Sequence, residues 1–214
     1  MWKRKRKLIP PSILVIGLGN PGDEYKNTRH NAGFLAVNAI ADKLHLEGWK
    51  MRAALEAEVI ESNVDGNKVV LAKPQTYMNL SGQSVKKLLQ SFGTNAENAV
   101  IIYDDITLPV GEFDVRSTKS SGGHNGLKSI AQHVEEPIRR VRIGVGAVPE
   151  RWKQSDWVLS KFTKDELSTL EEVFDAIYSE LLFNVLITCG TNRIVGKKFM
   201  LFCNSRYLIR NLTF

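Results

Sequence analysis

Residues 99–103 read AVIIY, apolar throughout, and the run ends at Asp104-Asp105. Side chains alternate between the two faces of a strand, so a fully apolar run needs both faces covered. This stretch therefore predicts an interior strand of a sheet packed between helices. Ile13–Leu18 has the same character. Residues 32–46 place Phe34, Val37, Ile40, Ala41 and Leu44 at helical spacing. Residues 54–61 alternate as an edge strand, Val64-Asp65-Gly66-Asn67 reads as a hairpin turn, and Lys68–Lys73 returns. Residues 82–92 and 127–134 read as helices, and residues 111–117 and 140–146 as strands. Thr163 with Glu166 three residues later is a capping-box signature that opens a helix running to about residue 182. Strands and helices alternate, which predicts an α/β fold: one domain with a twisted, mixed central β-sheet flanked by helices.

A chain of 214 residues can bury a full core for one such domain. The formal charge of +6 is unevenly spread. Residues 1–7 and residues 183–214 hold five basic residues each and no acid, which leaves residues 8–182 at net −4. Overall charge therefore gives no reason to expect a nucleic-acid partner for the core; only a local patch could. The boundaries expected are a basic N-terminal extension over 1–11, the domain over 12–182 and an apolar, basic tail over 183–214. The N-terminal basic run reads as a solvated tail, and the apolar run after it is too short for a secretory signal. No apolar segment reaches the ~18 residues that a membrane span needs. Two late cysteines, Cys189 and Cys203, make neither a disulfide framework nor a zinc site, so a cytoplasmic protein is expected.

Residues 17–22, GLGNPG, fit the G-x-G-x-x-G spacing of a dinucleotide loop. Such a loop needs a helix that begins inside the motif, its N-terminus facing the pyrophosphate. Here nine residues without helical periodicity follow Gly22, and no strand ends in an acid near residues 42–47. The nucleotide reading fails on both counts.

What the loops carry instead is amide and imidazole. The first holds Asn20, Tyr25, Arg29, His30 and Asn31; the second Gln75, Tyr77, Met78 and Asn79; the third His124 and Asn125. Asparagine and histidine often serve turns and caps. Spread over several loops beyond strand ends, where open α/β sheets bind ligands, they point to a shared site. The set suits hydrolysis without metal or serine. A neutral imidazole takes a proton from water, a carboxylate on its other nitrogen fixes the tautomer, and amides donate to a developing oxyanion. His30 with Asp104 would form the base, and Asn20, Asn79 or Asn125 would supply amides. No G-x-S-x-G occurs, and Ser81 lacks the elbow pattern. The four histidines show no metal-ligand spacing, and His45 and His133 read as helix-surface residues.

The ordered segments GLGNPGDEYKNTRHNAGF, KPQTYMNLSGQSV, DDITLPVG and SSGGHNGLKSI, continued by RVRIGVG and WVLSKF, resemble the bacterial-type peptidyl-tRNA hydrolases over about residues 12–182. The resemblance implies a mixed-sheet α/β domain that acts as a monomer without metal or cofactor. It implies cleavage of the ester between a peptide and the 3′ ribose of tRNA, which recycles tRNA from stalled translation. Carried onto this chain, the family's catalytic histidine falls on His30, its aspartate on Asp104, and its asparagines on Asn20, Asn79 and Asn125. Tyr25, Tyr77, Met78 and His124 fall on substrate-side positions. Arg116, Lys119 and Arg142 fall among residues that meet tRNA. Residues 116–142 carry net +4, a stripe suited to phosphate contacts.

The chain departs from the family pattern at Thr107, where an aspartate is usual, and at Lys119-Ser120-Ser121, where glycine is more frequent. The acid-free tail departs most and reads as an altered terminus whose apolar residues pack on the domain or stay exposed as an aggregation liability. Two alternatives to catalysis remain open at this point. One is a non-catalytic RNA-binding member of the intron-splicing type; the other is a product inactivated by its altered C-terminus.

Overall fold

The structure, a computed structural model, describes residues 13–188 apart from Asp65 and Lys119, with side chains to residue 181. Its centre is a seven-stranded mixed sheet. Strand β1 (Ile13–Gly17) lies between β4 (Asn67–Pro74) and β5 (Ala99–Asp105), parallel to both. Strand β5 pairs in parallel with β7 (Arg139–Gly144). The outer pairs are antiparallel: β2 (Lys50–Arg52) with β3 (Ala57–Val64), β3 with β4, and β6 (Phe113–Ser117) with β7. The order across the sheet is β2-β3-β4-β1-β5-β7-β6.

The pleat divides the core in two. Ile13 and Val15 of β1, with Val100 and Ile102 of β5, face helix α1 (Ala32–Lys43) and helix α5 (Lys164–Thr188). Leu14 and Ile16, with Ile101 and Tyr103, face helix α2 (Ser81–Phe92) and helix α3 (Asn125–His133). Leu14, Ile16, Ile101 and Ile102 have no measurable exposure, which explains why these strands are apolar at successive positions. Each such side chain contributes about 1.5–3 kcal/mol on burial.

Two glycines set how close α1 comes to the sheet. A Cβ on Gly33 would lie 2.3 Å from the Ile102 carbonyl oxygen, and one on Gly17 would lie 2.2 Å from the Gly33 carbonyl oxygen. The first turn of α1 therefore rests on the carboxyl ends of β1 and β5, and the loop before it reaches the same place.

Most expected elements are present with shifted ends, and the capping box of α5 forms: Glu166 N–H donates to Thr163 Oγ1 (3.2 Å) and Thr163 N–H to Glu166 Oε2 (2.8 Å). Five differences matter. The edge strand is β2, not residues 54–61. Residues 53–55 instead make a 3-10 turn, followed by Glu56 at φ 51°, so β3 begins at Ala57. Asp104 and Asp105 belong to β5, which β7 pairs to its last residue. Helix α1 stops at Lys43, so His45 sits beyond it at φ 52° rather than on a helix surface. A short helix, α4 (Gln154–Leu159), precedes α5. Helix α5 runs unbroken past residue 182, with Leu181 in the core.

Candidate active site

The site is built where β1 and β5 end. Asp104 is the sixth residue of β5 and is buried. His30 lies in a 3-10 turn, Arg29–Asn31, that leads into α1. Its Nδ1 is 2.9 Å and 3.0 Å from the two Asp104 carboxylate oxygens. A carboxylate only accepts, so Nδ1 carries the proton and the Nε2 of neutral His30 keeps its lone pair.

His124 approaches the same carboxylate, its Nε2 at 2.9 Å from Asp104 Oδ1. Its Nδ1 accepts from the Leu127 N–H at 3.3 Å, which caps α3. The two contacts require a proton on Nε2 and a lone pair on Nδ1, so the tautomer is set from both sides. The His30 and His124 rings are 5.1 Å apart.

These contacts account for the electrostatics. Burial opposes a charged His30, but the Asp104 carboxylate, by its charge and its hydrogen bond, more than offsets that and raises the His30 pKa above its ordinary value. Burial likewise opposes an ionised Asp104; the two imidazoles outweigh it and hold the carboxyl well below the usual carboxylate range.

Asn20 joins the first loop to the second. Its Oδ1 accepts from the Met78 N–H at 2.8 Å. Asn31 brackets its backbone: Asn31 Oδ1 accepts from Asn20 N–H (2.9 Å) and Asn31 Nδ2 donates to Asn20 O (3.0 Å). A backbone N–H can only donate, so the Asn20 amide has one orientation, and its Nδ2 has no acceptor among the described residues. The third loop closes against both. A Cβ on Gly126 would lie within 3.1 Å of Met78 Sδ, Leu18 Cδ1 and His124 Cε1.

The structure thus brings His30, Asp104, His124, Asn20 and Met78 together. Asn79 and Asn125 are exposed and follow Met78 and His124 in the chain. Tyr25 and Tyr77 meet edge to face at 6.4 Å, with Tyr77 exposed. Lys119 lies outside the described residues. A separate pocket of about 400 Å³, lined by Ile130, Val134, Glu135, Glu136, Ile138 and Arg140, shares no residue with this cluster.

Arg116 and Arg142 are not free cations. Asp114 Oδ2 accepts from Arg116 Nε (2.8 Å) and from Arg142 Nε and Nη2 (3.0 and 2.8 Å), and Asp105 Oδ2 accepts from Arg142 Nη1 (3.1 Å). Counting charge over 116–142 omits both acids. Thr107, the departure noted above, closes a turn on Asp105 Oδ1 through its N–H (2.8 Å) and its hydroxyl (2.6 Å).

A family model described as Peptidyl-tRNA hydrolase matches residues 14–200. The chain belongs to the peptidyl-tRNA hydrolase family. It is 44% identical over 163 residues to a peptidyl-tRNA hydrolase of Desulfitobacterium hafniense (strain Y51), covering 76% of this chain and 86% of the relative. A peptidyl-tRNA hydrolase of Exiguobacterium sibiricum is 45% identical over 162 residues, 74% of this chain and 85% of that one. The crystal structure of peptidyl-tRNA hydrolase from Acinetobacter baumannii matches with a TM-score of 0.77 at 34% identity, over 84% of this chain and 92% of that chain. The expected fold class, a single mixed-sheet α/β domain, is the fold of this family member.

Two residues of the first loop, Arg29 and Asn31, have no role in the sequence reading yet are buried within the site's framework. The signal available was their place in TRHN, where four polar residues precede a helix. The histidines also differ from expectation. His30, Asp104 and His124 bring potential metal-ligating atoms within 4.8 Å of one another, a grouping invisible in their sequence spacing. A metal there would have to displace both N–H protons now donated to Asp104.

Proposed function

We propose that this family member hydrolyses peptidyl-tRNA with His30 as general base, Asp104 as its orienting carboxylate and Asn20 as an amide donor. The observation that carries the reading is the His30 Nδ1–Asp104 hydrogen bond, which leaves Nε2 unprotonated and available. His30 Nε2 removes a proton from water as the water oxygen bonds to the ester carbonyl carbon. The carbonyl oxygen becomes an oxyanion, and Asn20 Nδ2 is a donor of the type that stabilises it. The intermediate collapses, the bond from carbon to the 3′ ribose oxygen breaks, and the leaving oxygen takes the proton back from His30. Peptide and tRNA are the products.

Asn79 and Asn125 border this centre and orient substrate or water. Tyr25, Tyr77 and Met78 contact the peptidyl end. His124 acts mainly through Asp104. Arg116, Lys119 and Arg142 meet tRNA phosphates. The reading places the enzyme in the cytoplasm as a monomer, with residues 12–182 as its domain. No described helix is long and apolar enough to cross a membrane.

Purified protein should release the blocked peptide from N-blocked aminoacyl-tRNA. His30→Ala should retain its melting transition and lose about 10²–10⁴-fold in rate. Wild-type turnover by that variant would remove His30 from the mechanism. Tight RNA binding without ester cleavage by the native chain would leave the non-catalytic RNA-binding reading.

A further inference from the structure

We infer that Arg29 and Glu166 are positioning residues that hold the His30 imidazole on Asp104, joining the site to α4 and α5 through a partly buried ion pair. The inference rests on His30 as the base.

Arg29 is 4% exposed. Its Nη2 meets Glu166 Oε1 at 2.9 Å and Oε2 at 3.0 Å, its Nη1 donates to the Val145 carbonyl (3.1 Å), and its Nε to Ser160 Oγ (3.2 Å). The guanidinium carbon sits 3.8 Å from the Trp157 ring centroid and 5.0 Å from that of Phe162. Trp157 is itself tied to the Gly146 carbonyl by its indole N–H (3.0 Å). The backbone repeats the link: Arg29 N–H donates to Ser160 O (3.0 Å) and Phe162 N–H to Asn27 O (2.9 Å). One side chain thus spans the end of β7, α4 and the first turn of α5.

Arg29, His30 and Asn31 are consecutive in one turn, and each side chain has a separate anchor: Glu166, Asp104 and Asn20. An ion pair with a buried arginine and a half-buried glutamate is a weak source of stability, because desolvating the guanidinium offsets much of the Coulombic gain. Its distinguishing property is direction. The planar guanidinium places five donors in a fixed fork, so Arg29 fixes orientation where an apolar residue would only fill space. Glu166 is fixed in turn by the Thr163 N–H of the capping box. A turn pinned at both ends presents His30 in one pose. Releasing one end moves the imidazole relative to Asp104 and to the water it deprotonates.

The test compares Arg29→Met, Arg29→Lys, Glu166→Gln and His30→Ala in peptide release, with kcat, KM and the melting temperature measured for each. Arg29→Met and Arg29→Lys should both lower kcat by roughly 10²-fold, the cost of about 1 Å of misplacement, and leave KM within twofold. Arg29→Lys keeps the charge and loses the fork, so its failure to restore kcat separates orientation from charge. Glu166→Gln keeps an acceptor for Thr163 and removes the ion pair; a severalfold loss of kcat is expected, and this variant decides the matter if Arg29→Met does not fold. Folded Arg29 variants with kcat within twofold of wild type would overturn the inference, whatever their melting temperature. The His30→Ala arm separates the two claims. If it is inactive while the Arg29 variants are normal, only the positioning role fails; if it turns over normally, the base assignment fails first.

Discussion

His30 Nδ1 and the Asp104 carboxylate are 2.9 Å apart in a buried site, and each changes the other's protonation. The base must be neutral to work, so kcat/KM should rise with pH and level off above the folded pKa of His30. That inflection should lie above the ordinary histidine value of 6.5. In Asp104→Asn the carboxylate that raises the pKa is gone, so the inflection should move to lower pH. The plateau should fall by about 10²–10⁴-fold as the preferred tautomer is lost. A pH–rate profile of both proteins checks it, and an inflection that stays in place would refute the coupling.

The same pair predicts how stability depends on pH. His30 has a raised folded pKa, so its contribution is complete below the unfolded histidine value and is lost as pH rises through the folded one. Asp104 has a depressed folded pKa, so its contribution is complete above the unfolded carboxylate value and is lost as pH falls through the folded one. Denaturant unfolding should therefore show wild-type stability falling as pH rises through the folded pKa of His30, and falling again as pH drops below the unfolded carboxylate value; Asp104→Asn, which removes the carboxylate behind both shifts, should lose both features.

Asp114 offers a prediction about tRNA affinity. It engages both Arg116 and Arg142, and those guanidinium groups depress its pKa against the opposing effect of burial. A phosphate approaching either arginine competes with a carboxylate already in place. Asp114→Asn should tighten tRNA binding and steepen its salt dependence, by about one unit in log K against log salt for each phosphate gained. Arg116→Ala should weaken binding and flatten the slope by about one. Filter binding or anisotropy across a salt series measures both.

The interior of the fold was legible because β1 and β5 are buried on both faces, which makes AVIIY and ILVIG apolar at successive positions. Strand β2 was not legible: its three residues, Lys50–Arg52, are all exposed and carry no alternation, and their pairing with β3 defines them. Helix α4 has six residues, too few for a periodic signal. In the site, His30 and Asp104 stood out as groups with chemistry at loop and strand-end positions. The bracket that Asn31 forms around Asn20 did not, because it joins residues eleven apart whose approach depends on the turn between them. Nor did the pairing of Arg142 with Asp114, which lies across the β6–β7 register.

Asn31 can be tested on that basis. Its amide satisfies the N–H and the carbonyl of Asn20, both buried. Asn31→Ala leaves two polar groups unpaired, a loss of about 1–3 kcal/mol for each buried group. It also releases the Asn20 backbone, which carries the side-chain amide to the Met78 N–H. Stability to denaturant should fall, and kcat should fall with it. Asn31→Asp keeps the acceptor for the Asn20 N–H but sets a second acceptor against the Asn20 carbonyl, so it should restore neither measure.

Gly33 carries the final prediction, since it joins the helix that follows His30 to the strand that carries Asp104. A Cβ there would lie 2.3 Å from the Ile102 carbonyl and 2.5 Å from the Leu18 nitrogen. Both are backbone atoms and cannot rotate away, so Gly33→Ala must push α1 off the ends of β1 and β5. Overpacking of this kind costs about 1–3 kcal/mol. Gly48 provides the contrast, with φ at +84° and nothing within 4 Å of its added Cβ. Gly48→Ala should cost only the left-handed backbone penalty of about 1–2 kcal/mol and should leave kcat unchanged. Gly33→Ala should lower kcat as well as stability, because the displacement separates His30 from Asp104. Equal kcat in the two variants, each still folded, would show that the approach of α1 to the sheet does not set the geometry of the base.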